Sequence, residues 1–321
     1  QAFDRVWPPG LLFKLKPLLS DTYFKLIQSF ITSRTFHVKC DGAQSRSRGI
    51  LASVPQGSVW GPILYLIYVC DIPTSRETTS AMFADDYAIL SRDSSGTAVS
   101  TKLQLHLNSI QEWTEQWRIL MNPEKSCTVT FTLKRNYETN RIVMSSGNIP
   151  EADVVRYLGV HLQQRLTYDT HIGELVKRLR SRIHLLKPLL SQNSPLSLDN
   201  KRLLYLTMIR PIWQYSCSIW GLASKTQIKR VQTQQNRALR MITAAPWFVR
   251  NSVIHRDLDV PLVEEVISTT MNRMHASITT HQSTAFEHLL SSWDRNLHPR
   301  RLKRKRTVDL ILTGRNDETA T

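Results

Sequence analysis

Two adjacent carboxylates, Asp85 and Asp86, interrupt an otherwise apolar, β-prone stretch at residues 82–90. Few chain paths accommodate such a pair. A continuous buried strand would bury two like charges side by side, so the pattern predicts a strand, a turn carrying the acids, and a second strand. The turn lacks the Gly or Asn that a tight hairpin favours, and the two carboxylates repel each other. A divalent cation relieves that repulsion, and paired carboxylates are how two-metal phosphoryl transfer holds its ions. Acidic pairs also occur in ordinary surface turns, so the pair does not decide between these by itself.

The chain around this pair mixes element types. Residues 11–33 read as one helix, with Leu15, Leu18, Leu19, Tyr23, Leu26, Ile27 and Phe30 at helical spacings. Residues 35–38 and 50–54 are β-like runs flanking a polar, mobile loop, and residues 58–71 read as a buried helix with Pro62 near its start. Residues 101–121 predict a helix and 128–133 an alternating strand. From about Thr167 the pattern turns helical. Ile172, Leu175, Leu179, Ile183 and Leu186 share one stripe, while Lys177, Arg178, Arg180 and Arg182 lie mostly off it. A second helix runs from a Ser197 cap until Pro211 interrupts it. A third runs from a Ser224 cap with Lys229, Arg230, Arg237 and Arg240 outside. Interleaved strands and helices followed by helices alone indicate an α+β part and an all-helical part.

Charge narrows the partner. The chain of 321 residues has 42 Lys+Arg against 26 Asp+Glu, a net +16, with +4 on residues 1–150 and +12 on residues 151–321. That excess points to a polyanion, although solvated basic faces on a helical bundle would look the same. At residues 295–306 seven of twelve positions are basic, which suits a nuclear-import signal, a nucleic-acid contact or a solvated tail. A 41% hydrophobic and 21% charged composition excludes a fibrous or disordered chain. Four scattered cysteines with no CxxC pair argue against a disulfide scaffold and structural zinc. No apolar run approaches the ~20 residues of a membrane span, and the start does not resemble a signal peptide. The expectation is an intracellular, reducing setting with no membrane partner.

Three weaker signals follow in order. Val54-Pro55-Gln56-Gly57-Ser58 leads into an apolar helix, where Gly57 permits close backbone approach to a ligand and Ser58 can cap. Asn122-Pro123-Glu124-Lys125 precedes the strand at 128–133. Tyr157-Leu158-Gly159-Val160 is a short turn where the chain becomes helical.

Taken in this order and spacing, the segments resemble the reverse-transcriptase domain of non-LTR retrotransposons, and most closely the jockey-like group. Ala2-Phe3-Asp4-Arg5-Val6-Trp7 is similar to the tail of motif A, ASVPQGSVWGP (52–62) and YVCDIP (68–73) to motif B and its helix, and Phe83-Ala84-Asp85-Asp86 to motif C. LMNPEK (120–125) is similar to motif D and Tyr157-Leu158-Gly159-Val160 to the primer-grip motif E. Similarity continues at 165–171, 210–221, 244–249 and 253–261.

The resemblance implies an α+β right-hand palm, with an antiparallel sheet and packed helices, in residues 1–160 (part of palm and fingers). It implies a helical thumb with a basic extension in residues 161–321. The implied activity is RNA-directed DNA polymerisation by two-metal nucleotidyl transfer. Asp85 and Asp86 would be catalytic metal ligands for two Mg²⁺, with Mn²⁺ as a substitute. Lys125 would neutralise the leaving pyrophosphate, and Phe3 would be the gate against a ribose 2′-hydroxyl. Gln56 and Gly57 would bind substrate, while Tyr157, Leu158 and Gly159 would grip the primer end. Lys177, Arg178, Arg182, Lys229 and Arg230 would hold nucleic acid by its backbone. The implied partners are an RNA template, a DNA primer, their RNA–DNA duplex and deoxynucleoside triphosphates, in the nucleus.

Departures from the family pattern set further expectations. Its metal-binding motif A Asp lies five residues before the gate Phe, which falls ahead of Gln1, so the chain reads as an N-terminally truncated fragment with little or no activity alone. Ser53 stands where the family usually has Gly, and Trp60 where it usually has Leu. An intron-encoded maturase-type palm protein and a non-catalytic nucleic-acid-binding remnant are the rival readings. His255-Arg256-Asp257-Leu258 spells the start of a kinase catalytic loop, but Leu262 replaces the required Asn, and these residues read as a helix–helix connection.

Overall fold

Prolines and hairpin turns decide where the elements of this chain break. In the computed structural model, which describes residues 3–280, the region 11–33 is two helices and not one, α1 (Pro8–Leu15) and α2 (Asp21–Ile31). Pro17 has no N–H to continue the first helix, and Pro8-Pro9 are preset for its opening turn. The chain divides into two compact units, Gln1–Thr128 with Lys134–Ala152, and Val129–Leu133 with Asp153–Thr321.

In the first unit α2 leads into four two-residue strands, β1 (Thr35–Phe36), β2 (Lys39–Cys40), β3 (Ala43–Gln44) and β4 (Arg48–Gly49). They form nested antiparallel pairs, β1 with β4 and β2 with β3. The polar loop expected at 41–49 is therefore partly paired. The strand expected at 50–54 is absent, because the backbone there turns to other partners: Ser53 N–H donates to Val6 O at 2.9 Å and Val54 N–H to Phe3 O at 3.0 Å. Next come α3 (Trp60–Val69), the hairpin β5 (Thr78–Phe83) with β6 (Asp86–Ser91), α4 (Gly96–Gln116), and the short pair β7 (Val143–Met144) with β8 (Gly147–Asn148). α4 starts five residues before the expected 101 because Ser95 caps it, accepting from Ala98 N–H. The core gathers Leu11, Leu15, Val54, Leu64, Tyr68 and Trp117. α3 is buried on one face only, since Ile63 and Leu66 are exposed. The strand expected at 128–133 does not form. Among the described residues the β pairing there is one isolated bridge, Thr128 to Glu151, and no ladder extends from it.

The second unit begins with the hairpin β9 (Val154–Tyr157) and β10 (Val160–Gln163). Helices α5 (Asp169–Leu190), α6 (Leu198–Leu204), α7 (Arg210–Gln214), α8 (Cys217–Trp220), α9 (Lys225–Thr243), α10 (Asn251–Asp257) and α11 (Val263–Thr280) follow. Their shared core includes Ile172, Leu179, Trp213, Trp220, Leu239 and Ile267. Pro211 does not end the second helix. Residues Tyr205–Ile209 widen into a π turn, and the helix resumes as α7 with Pro211 in its first turn. His255, Arg256 and Asp257 form the last turn of α10 and are not a connection; the buried His255 ring faces Val260 O at 2.7 Å. No helix among the described residues is long and apolar enough to cross a membrane. The basic run 295–306 and Ala2 lie outside the described residues.

The architecture is thus mixed helix and small antiparallel sheets. Among the described residues the strands form five two-stranded hairpins or ladders.

Candidate active site and nucleic-acid interface

The β5–β6 hairpin pairs from Thr78↔Ser91 to Phe83↔Asp86, leaving Ala84-Asp85 as a two-residue loop. A non-glycine turn of this kind has a steric cost, visible in the left-handed φ of +52° at Ala84. Asp85 and Asp86 are both exposed, and neither carboxylate has a hydrogen bond or ion pair among the described residues.

Tyr65 of α3 links this tip to the segment at the start of the chain. The Phe3 ring packs on Tyr65 of α3, with centroids 4.8 Å apart. Burial pushes the Tyr65 phenol up from its ordinary pKa, and the negative charge of Asp85 pushes it further. Phe3, Tyr65 and Asp85 therefore share one neighbourhood. Gln56 Nε2 donates to Asp4 Oδ1 at 2.8 Å, tying the 54–58 loop to the segment that carries Phe3. Gly57 holds φ +79°, and a Cβ there would meet nothing within 4 Å, so its glycine requirement within the chain is conformational. Ser58 Oγ accepts from Gly61 N–H at 3.0 Å and so steadies the start of α3. Ser53 sits at φ +140°, a conformation that suits glycine. Lys125 ends a single 3-10 turn whose N–H groups are held by Asn122 Oδ1. Its exposed ammonium has no ion pair among the described residues and no contact with Asp85 or Asp86.

In the second unit, Leu158 and Gly159 form the β9–β10 turn with φ +44° and +81°, the left-handed pair that a two-residue hairpin prefers. Tyr215, after α7, clamps this turn. Its hydroxyl donates to Leu158 O at 2.8 Å, and its ring lies so close to Gly159 that a Cβ there would sit 3.1 Å from it. The same Tyr215 lines a groove of ≈ 440 Å³ together with Arg178, Ser181, Arg182, Leu185, Pro211 and Ile212. The structure thus joins the 157–159 turn to Arg178 and Arg182. Lys229 and Arg230 are exposed on α9 but do not line this groove, and Arg230 donates to Gln227 Oε1 at 2.6 Å. Lys177 is committed to Glu174 at 2.8 Å. Sequence reading missed Tyr65, Ser181 and Tyr215. Nothing in their local spacing distinguishes them from packing residues.

Hard carboxylate oxygens without protein partners, as on Asp85 and Asp86, suit a divalent ion that retains water in its remaining positions. Among the described residues no group of three or more His, Cys, Asp or Glu side chains gathers.

Residues 1–162 match the family profile described as reverse transcriptase (RNA-dependent DNA polymerase). The chain belongs to the reverse transcriptase family. A probable RNA-directed DNA polymerase from transposon X-element of Drosophila melanogaster is 38% identical over 97% of this chain and 34% of its own length. The RNA-directed DNA polymerase from mobile element jockey is 36% identical in Drosophila funebris and 33% in Drosophila melanogaster. Each match covers 97% of this chain and 35% of the relative. The chain spans about a third of the length of the curated relatives it matches. The similarity to the jockey-like reverse transcriptases of non-LTR elements therefore runs through both units. Reverse transcriptases generally use divalent metals, and the donor chemistry at the β5–β6 tip fits that use.

Proposed function

We propose that this chain carries the catalytic-hairpin and duplex-gripping parts of the RNA-directed DNA polymerase of a jockey-like non-LTR mobile element. The observation that carries this reading is the packing of Phe3 on Tyr65, whose phenol feels the charge of Asp85, one of two adjacent carboxylates without partners among the described residues. Asp85 and Asp86 would hold Mg²⁺, in a two-ion arrangement that Mn²⁺ can also serve. When bound, such ions lower the barrier by activating the attacking oxygen and stabilising the leaving one.

The chain's own residues supply the positioning. Phe3, braced by Tyr65, blocks the 2′ position of the incoming deoxynucleotide. Gln56 and Gly57 bound the nucleotide pocket, with Gln56 oriented by Asp4. Lys125 brings a cation to the leaving pyrophosphate. Tyr157, Leu158 and Gly159 set the primer end, with the turn held by Tyr215. Arg178 and Arg182, together with Lys177, Lys229 and Arg230, neutralise backbone phosphates of the RNA–DNA duplex. Such contacts carry affinity without reading sequence. On this reading residues 1–160 are palm and fingers and residues 161–321 thumb with a basic extension.

The test uses the polypeptide extended upstream to include an Asp five residues before Phe3. Asp85→Ala abolishes nucleotide incorporation and leaves duplex binding nearly intact. Arg178→Ala with Arg182→Ala weakens duplex binding and reduces its salt dependence by roughly one ion per arginine. Equal loss of incorporation and duplex binding in Asp85→Ala overturns the assignment.

A further inference from the structure

The turn between α9 and α10 presents two aromatic rings to solvent. Val249 N–H donates to Pro246 O at 3.1 Å, closing a β-turn whose two central residues are Trp247 and Phe248. They are 90% and 69% exposed, and their rings meet edge to face with centroids 6.0 Å apart. Central turn positions ordinarily hold small or polar residues, so two large apolar rings contradict local preference. The turn is also held from behind. Arg240 of α9 donates to Pro246 O at 3.0 Å, to Val249 O and to Asn251 Oδ1 at 2.9 Å. The backbone that carries the two rings is thus fixed before any ligand binds, which lowers the ordering cost of binding.

We infer that Trp247 and Phe248 form a stacking platform for unpaired bases of single-stranded nucleic acid. The charge around the turn favours that partner. From Lys225 to Arg250 the chain has six Lys or Arg and no acidic residue, and Arg237 and Arg250 are exposed; Arg256 is paired with Asp257 at 3.3 Å. Between those same positions Trp247 and Phe248 are the exposed large apolar side chains, which is too little apolar surface for the core of a protein–protein interface. Two ring faces set among arginines match how single strands are held, each base offering a π-face and each phosphate a charge. Bases within a duplex are covered by their neighbours and cannot stack on the turn. Trp247 and Phe248 do not line the groove that holds Arg178 and Arg182, and the inference does not depend on the polymerase assignment.

Binding of the full chain to labelled single-stranded RNA, to single-stranded DNA of the same sequence and to the corresponding RNA–DNA duplex tests this. Trp247→Ala and Phe248→Ala should each weaken binding of both single strands about tenfold, leaving the slope of affinity against salt unchanged, because no phosphate contact is lost. Duplex affinity should stay constant, and Trp247→Phe should retain most single-strand binding. Both side chains are exposed, so the unfolding midpoint should not move. Unchanged affinity for both single strands, or an equal loss on the duplex, overturns the inference. Loss of metal-dependent incorporation in Asp85→Ala is read independently, so the two assignments fail separately.

Discussion

The ammonium of Lys14 lies 3.6 Å from the centre of the Trp117 ring, with the rings of Trp113 and Tyr68 at 5.0 and 5.2 Å. It donates to Asp71 and to Tyr68 O, while Trp113 Nε1 donates to Asp71 Oδ1 at 3.2 Å and the Tyr68 hydroxyl to Trp117 O. Burial holds the Lys14 pKa below its ordinary value, and Asp71 pulls in the opposite direction. This cage fastens α1 and the end of α4 to α3, the helix that carries Tyr65. Lys14→Met keeps the stem but removes the charge, and should cost the first unit about 2 kcal/mol. Urea unfolding followed by tryptophan fluorescence measures this, and a double cycle with Asp71→Asn should be strongly non-additive.

Ser53 at φ +140° offers the opposite kind of change. Ser53→Gly removes a side chain from a conformation that suits glycine, while the backbone bond from Ser53 N–H to Val6 O can remain. A gain of about 1 kcal/mol is expected in the same unfolding experiment. A loss would mean that the Ser53 Oγ bond to Val54 O, at 2.9 Å, matters more than the strain.

Gly159 and Tyr215 give a graded pair. Gly159→Ala faces both a left-handed φ of +81° and a Cβ 3.1 Å from the Tyr215 ring, and should destabilise the second unit by about 1–2 kcal/mol. Tyr215→Phe keeps the ring and loses the bond to Leu158 O, a cost of about 1 kcal/mol. Hydrogen exchange of the β9–β10 amides should rise in both variants.

His171 sets a pH dependence. Burial, and then the nearby His161 and Arg178, push its pKa down to about 4, and its Nδ1 faces the His161 N–H at 3.4 Å. The unfolded chain therefore binds a proton between about pH 6.5 and 4 that the folded chain refuses. The stability of the second unit should hold above this window and fall by about 3 kcal/mol as pH drops through it. In His171→Gln the fall should flatten, as pH-stepped thermal unfolding would show.

Local patterns were legible where one stretch of chain supplies its own reason. The Asp85-Asp86 interruption predicted strand, turn and strand, and the hairpin is there. The capping serines at 197 and 224 and the stripe from Ile172 to Leu186 predicted helices that form. The failures share a different cause. Residues 128–133 alternate like a strand, but among the described residues regular pairing stops at the isolated Thr128–Glu151 bridge and no ladder forms. Residues 50–54 look like a strand but spend their backbone donors on Phe3 and Val6. Pro211 does not end its helix, because after the π turn at Tyr205–Ile209 it falls in the first turn of α7, where a missing N–H costs little.

The sequence by itself determined the family, the acidic turn and the concentration of positive charge in the helical half. These follow from residue type and spacing, which need no third dimension. Only the tertiary structure decided that Phe3 meets Tyr65 beside Asp85, and that Tyr215 clamps the Leu158-Gly159 turn and shares a groove with Arg178 and Arg182. It also decided that Trp247 and Phe248 stand in solvent rather than in the core. Those relationships join positions tens of residues apart, or depend on which face a helix buries. Both are set by packing of the whole unit, where burial of the apolar stripes outweighs local preference.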